Sequence, residues 1–243
     1  MRIYTFAKRT LKEILRDPLT LIFGLGFPAV LILLLSAIQA NIPVSLFEIG
    51  NLVPGMTVFG LSFMTLFSAT LIAKDRESAF LTRLYATPMK ALDFILGYTL
   101  PILPIAIAQS VFCFVVGIIL GMEITLNILY SILFVIPIAL FFIGLGLLFG
   151  SILNQKQVGG ICGAALTNLT AWLSGIWFDL NLVGGAFEKI ADLLPFRHAV
   201  QIEQMVYAGD YSTLLPHFLW VIGYALVSII LAVILFTKQM KKG

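Results

Sequence analysis

An all-α, polytopic membrane protein is the fold class the sequence predicts, on three observations. Hydrophobic residues make up 60% of the 243-residue chain and charged residues only 11%, against roughly 45–50% and 25% in an ordinary soluble domain. A soluble fold of this size still exposes about a quarter of its chain surface, so this much apolar area needs a bilayer as solvent. Six uncharged-core runs, at about 19–40, 50–73, 94–121, 124–153, 158–178 and 214–237, each reach the roughly 20 residues that cross a 30 Å hydrocarbon layer as a helix. Finally, thirteen of the fifteen Lys and Arg residues fall on one side of that topology and only Lys189 and Arg197 on the other. Cytoplasmic loops collect Lys and Arg, so a multi-pass protein of the plasma membrane with both termini in the cytosol is expected. The net charge of +3 is too small to call for nucleic acid.

The chain divides into an amphipathic segment, 1–18, and a six-span domain, 19–243. In the first, Ile3, Phe6, Ala7, Leu11, Ile14 and Leu15 share one helical face and Lys8, Arg9, Lys12 and Arg16 lie mostly opposite. That pattern suits a helix in the membrane interface with its lysines at the headgroups, or a topology anchor, or both. The first apolar run follows this long charged stretch and exceeds the 7–15 residues of a signal h-region, so it reads as an uncleaved span.

After the second run comes "AKDRESAFLTRLYATPMK", residues 73–90, with Lys74, Asp75, Arg76, Glu77, Arg83 and Lys90 between two uncharged runs. Ala79, Phe80, Leu84 and Leu81 form an apolar stripe, and Pro88 stops the helix by pushing Thr87 out of the α region. The spacing predicts one short amphipathic helix over 75–88. So short a helix is not stable alone in water and must dock on the N-terminal helix, on headgroups or in a groove of a soluble partner.

The third and fourth runs are longer than a perpendicular helix needs and hold Pro101, Pro104 and Pro137, so tilt or kinking is expected. Gly146-x-x-x-Gly150 and Gly159-x-x-x-Gly163 permit close helix approach, within the subunit or across a dimer. Span five carries Thr167, Asn168, Thr170 and Ser174. Polar side chains in lipid seek partners, so Asn168, with Thr167 and Ser174, is the candidate substrate pathway, interhelical hydrogen bonding being the alternative. In the outer loop, Phe187, Ile190, Ala191 and Leu194, then Val200, Ile202, Met205 and Val206, predict two short amphipathic helices. Asp179, Glu188, Asp192, Glu203 and Asp210 outnumber the cations there, which fits a solvated face or a cation-attracting vestibule. Cys113 and Cys162 sit in apolar runs as packing residues, and His198 and His217 lack the company a metal site needs, so neither metal nor catalytic residues are assigned.

No run carries Asp, Glu, Lys, Arg or His in its interior, whereas ion-coupled carriers place such a group at mid-membrane. A membrane-embedded lipid enzyme needs clustered His, Asp, Glu or Ser at one depth, and none is seen. No Gly-Lys dipeptide exists for a phosphate-cradling loop. The chain itself binds no ATP on this reading, and any ATP is bound by another polypeptide.

At "RESAFLTRLYATPM" the sequence resembles the cytoplasmic segment of type-two ATP-binding-cassette exporter permeases, through Arg76, Glu77, Ala79, Leu81, Arg83, Leu84, Thr87 and Pro88. The family often has glycine near Ala79 and an acid near Thr82. "LSGIWFDL" and "LLPFRHAVQIEQMVYAGD" are similar to its Ser-Gly element and later Leu-Pro segment, although Trp177 and Phe178 stand where a proline is usual. The resemblance covers nearly the whole chain. It implies a non-enzymatic transport subunit that exports amphiphiles (a drug, a lipid-like molecule, a peptide antibiotic or a glycan). It also implies a second permease, homo- or heterodimeric, above two cytosolic ATPases that bind ATP and Mg. The segment at 75–88 is then the coupling helix, with Arg76, Glu77 and Arg83 as polar contacts, Phe80 and Leu84 as apolar anchors, and Thr87 and Pro88 closing it.

Overall fold

The computed structural model describes residues 2–241, with the side chains of Arg2, Leu19 and Thr20 left aside. Every regular element among them is helical: α1 (Arg2–Leu15), α2 (Pro18–Leu21), α3 (Phe27–Gln39), α4 (Ile49–Glu77), α5 (Phe80–Tyr85), α6 (Ala91–Ile119), α7 (Asn127–Ile152), α8 (Gln155–Val158), α9 (Thr167–Leu173), α10 (Leu180–Val183), α11 (Gly185–Leu193), α12 (Pro195–Ala208) and α13 (Leu214–Met240). Two π-helical segments, Ile22–Gly26 and Gly159–Leu166, join α2 to α3 and α8 to α9. Five helices are long and apolar enough to cross a membrane: Ile22–Gln39, α4, α6, α7 and α13. The predicted fifth run differs. Its helical stretch begins at Gln155 and ends at Leu173, in three pieces, because Gly175 takes a left-handed turn (φ 80°) and closes it five residues before the predicted limit. Thr167 donates to the Cys162 carbonyl five residues back, as the wider π register allows. The first π segment lies just before Pro28, which has no N–H to return to Gly24; widening the turn removes the clash a proline makes with that carbonyl. Pro101, Pro104 and Pro137 sit inside helices that stay continuous.

Helix α4 is the axis of the bundle. Of its apolar window 89% is buried, against 28% for Ile22–Gln39 and 22% for α13, whose exposed Leu, Ile and Val side chains face outward. The reason is composition: α4 carries Gly55, Gly60, Ser62, Thr65, Ser68 and Ala69, small residues that let other backbones approach. It packs against α3, α6, α7 and α12. Thr65 donates to the Phe142 carbonyl at 2.7 Å. Gly146 lies against Thr65 and Ser68, and Gly150 against Ala69. Of the two Gly-x-x-x-Gly repeats, the first is therefore an intrasubunit seam, while among the described residues Gly159 has nothing opposite it and Gly163 meets Leu66.

The helix predicted at the N-terminus forms, but it is docked rather than merely laid on lipid. Phe6 and Ile14 are buried, and Phe6 presses on α6 where Gly97 leaves room. The two outer helices also form, as α11 and α12. The acidic set assigned to them divides, however. Arg197 pairs with Asp192 and Glu188, Asp179 caps α10, and Asp210 accepts from the Ser212 amide. Glu203 corrects the expectation of a solvated acid: α12 packs against α4, α7 and α13, and this places Glu203 at 0% exposure with both carboxylate oxygens unbonded. Burial pushes its carboxyl well above the usual range, opposed only by the Ser131 hydroxyl. The sign of the consequence follows. Below about pH 4 the group is neutral folded or unfolded; above it the unfolded chain ionises and the folded one does not, so stability falls as pH rises through this window. Glu203→Gln is expected to raise the melting temperature at pH 7.5 and to leave it unchanged near pH 4, measured by thermal unfolding in detergent; equal melting at both pH values counts against a buried neutral carboxyl.

Candidate functional site

The charged end of the bundle, where α1 and the end of α13 meet the loop at 73–90, is built from the end of α4. The predicted short helix over 75–88 is not one piece. Residues 75–77 continue α4, and a separate helix, α5, spans only Phe80–Tyr85. Helix α4 runs on because four successive charged residues each find a different neighbour. Lys74 pairs with Glu13 at 2.7 Å. Asp75, 1% exposed, receives both guanidinium nitrogens of Arg9 at 2.5 and 2.7 Å and the Tyr98 hydroxyl at 2.7 Å. Arg76 donates to the carbonyls of Ser151 and, at 2.6 Å, Leu153, which satisfies the orphan acceptors that end α7. Glu77 accepts from the amide and side chain of Gln155 at 2.9 and 2.6 Å, at the start of α8. One turn of helix thus braces α1, α6, α7 and α8 together.

The chain then breaks at Ala79, the only described non-glycine residue with positive φ (56°). A left-handed alanine costs about 1–2 kcal/mol, which explains why glycine suits this position in the family it resembles. The break lets α5 turn back under the bundle. Leu81 is fully buried and Tyr85 packs on Phe94 with ring centroids 5.4 Å apart. Arg9, already bound to Asp75, lies 4.3 Å above the Phe80 ring, a cation–π contact that ties α1 to α5. Between these helices runs a largely apolar groove of about 590 Å³, lined by Phe6, Arg9, Phe80, Leu84, Thr87 and Pro88 among others. Arg83 is exposed beside it and forms no ion pair among the described residues.

Of the seven residues predicted for coupling, Phe80, Leu84, Thr87 and Pro88 therefore meet around one groove, with Arg83 on the same short helix. Arg76 and Glu77 stand apart on α4, bonded within the chain. Arg9, Phe6, Asp75 and Tyr98 were not among the predicted residues. Asp75 was legible as a charge in an apolar chain, but its partner lies 66 residues away and no local pattern identifies it.

A second cavity, of about 600 Å³, opens on the flank between Ile22–Gln39, α4 and α9. Its walls are aromatic. Phe27, Phe59 and Phe63 contact one another with centroids 5.8–6.3 Å apart, and Trp177 meets Phe59 edge-on at 6.3 Å. Thr167 and Asn168 line it. Asn168 donates to the Ala164 carbonyl of its own helix at 2.9 Å, not to another helix. Ser174 does not belong to this cavity: it is buried and bonds the Ala171 carbonyl.

Among protein families, the model for the ABC-2 type transporter matches residues 1–208. No curated protein matches the chain.

Proposed function

Because the chain belongs to the ABC-2 type transporter family and is thereby the membrane permease subunit of an ATP-binding-cassette transporter, we propose that it exports amphiphilic molecules and is driven through α5 by a separate cytosolic ATPase. The observation that carries this is the groove beside α5: apolar, open, flanked by Arg83, which forms no ion pair among the described residues, and joined through Arg9 and Asp75 to the end of α4. A soluble partner gains apolar burial from Phe80 and Leu84 and a charge contact from Arg83. Two ATPase copies, each with ATP and Mg, and a second permease complete the assembly in this reading, with both termini on the cytosolic side of the plasma membrane.

The route of force is short. ATPase closure displaces α5 and the braced end of α4. That helix has 29 residues, about 40 Å at 1.5 Å per residue, and Phe59 and Phe63 lie on it in the wall of the aromatic cavity. Phe63 and Phe59 stand 14 and 18 residues from Glu77, about 21–27 Å along the helix, so movement at the charged end reshapes the cavity at mid-helix. Aromatic faces with two polar groups, Thr167 and Asn168, suit a largely apolar substrate that carries a few hydrogen-bonding groups. The cavity is open on the flank beside exposed Leu169 and Trp172, where the second permease is proposed to pack.

Arg83→Glu is expected to weaken retention of the ATPase in mild detergent at least tenfold while the permease melts as the wild type does, since Arg83 makes no ion pair with described residues. ATPase association that survives Arg83→Glu, and survives Thr87→Glu on the groove's rim as well, refutes this docking surface. Activity supplies the second reading: the permease alone, in sealed vesicles, is expected to drive no uphill transport.

A further inference from the structure

Adjoining the coupling groove along α1, and sharing Arg9 with it, lies a larger cleft, about 1070 Å³, lined by Lys8, Arg9, Lys12, Arg16 and Lys74 with the acids Glu13 and Asp17. We propose that it is a binding site for the phosphate of an anionic phospholipid. The charges are arranged in two tiers. At the back, Arg9 and Lys74 are held by Glu13, at 2.8 and 2.7 Å, and Arg9 also by Asp75. At the mouth, Lys8, Lys12 and Arg16 are exposed and form no ion pair among the described residues. These three follow one another at four-residue intervals, so they form a single stripe of like charge, an arrangement that is mutually repulsive on a helix. An anion seated across the stripe relieves that repulsion and receives several charge-assisted hydrogen bonds at once.

The apolar surroundings identify the source of the phosphate. Leu15, Ile22 and Phe23 are 57%, 63% and 54% exposed, immediately beside and beyond the cleft along the chain. A ligand with a charged head and acyl chains covers both surfaces, whereas free phosphate or a nucleotide covers only the first. The site's place in the inner leaflet rests on the orientation proposed above; binding itself does not, nor does it depend on an ATPase. Because Arg9 lines both this cleft and the groove beside α5, a lipid in the cleft also touches the residue that ties α1 to Asp75 and Phe80.

The full chain, purified in neutral detergent, is titrated with phosphatidylglycerol, phosphatidylcholine or inorganic phosphate, and retained lipid is counted by native mass spectrometry beside the melting temperature. Phosphatidylglycerol is expected to bind preferentially and to raise the melting temperature. Lys8→Gln, Lys12→Gln and Arg16→Gln are each expected to weaken its retention roughly fivefold, and the triple variant about a hundredfold, as for basic residues at an anionic surface. The paired change Lys238→Gln/Lys241→Gln, on basic residues outside the cleft, is expected to have no effect. Equal retention of both lipids, a triple variant that binds like the wild type, or a control pair that loses as much overturns the site. If the triple variant does not fold, the single variants decide in the same way. Stabilisation by inorganic phosphate alone, equal to that by phosphatidylglycerol, refutes a lipid as the ligand. None of these outcomes bears on ATPase docking, which Arg83→Glu tests separately.

Discussion

Gly146→Leu is expected to yield no folded permease in detergent extracts. A Cβ at this position already collides with the Ser68 hydroxyl and comes within 2.6 Å of the Thr65 carbonyl, and α7 cannot withdraw without opening its seam with α4. Gly146→Ala is expected to cost about 2–3 kcal/mol, the upper range for overpacking a tight core. Gly159→Ala and Gly160→Ala provide the contrast. None of the described residues lies within 4 Å of a Cβ at either, so both are expected within about 0.5 kcal/mol of wild type, as read by fluorescence-detected thermal unfolding. Should Gly146→Leu melt within a few degrees of the wild type, the α4–α7 seam is wrongly drawn.

Arg9→Ala is expected to destabilise the protein by about 3–5 kcal/mol, because it leaves the Asp75 carboxylate buried with only the Tyr98 hydroxyl as partner. Asp75→Ala is expected to cost less, about 2–3 kcal/mol, since the freed Arg9 side chain, 37% exposed, can still reach water. Arg9→Lys is not expected to rescue, because an ammonium cannot bind both carboxylate oxygens in a fork or lie flat over Phe80. The double variant Arg9→Ala/Asp75→Ala is expected to be more stable than Arg9→Ala, an interaction that the double-mutant cycle with the two single variants resolves. Additive effects in that cycle are incompatible with a direct pair. Loss of the brace is also expected to loosen α5, so limited proteolysis near residues 78–90 accelerates in Arg9→Ala.

The legible and the illegible parts of the site divide along one line. Phe80, Leu84, Thr87 and Pro88 were recognisable because polarity changes abruptly around them and a proline marks their limit. The helix boundary was misplaced because Asp75, Arg76 and Glu77 look like loop charges until their partners are known: Arg9, the end of α7 and Gln155. Glu203 was read as a solvated acid for the same reason. Nothing within several residues of it distinguishes a carboxylate that faces water from one that α12 carries in among α4, α7 and α13.

By itself the sequence determined the solvent, the all-helical class, the placement of most apolar runs, the charged end and the existence of α11 and α12. Those are properties of residues taken one at a time or a few apart, and hydropathy and periodicity report them directly. Only the tertiary structure decided which of two identical Gly-x-x-x-Gly repeats is a seam, that Arg76 caps a helix 75 residues away, and that five cations share one cleft. Each of these depends on which surfaces meet, and lipid, unlike water, gives apolar helices little reason to prefer one neighbour to another. Close fit and polar pairing make that choice, and both belong to pairs of residues far apart in the chain.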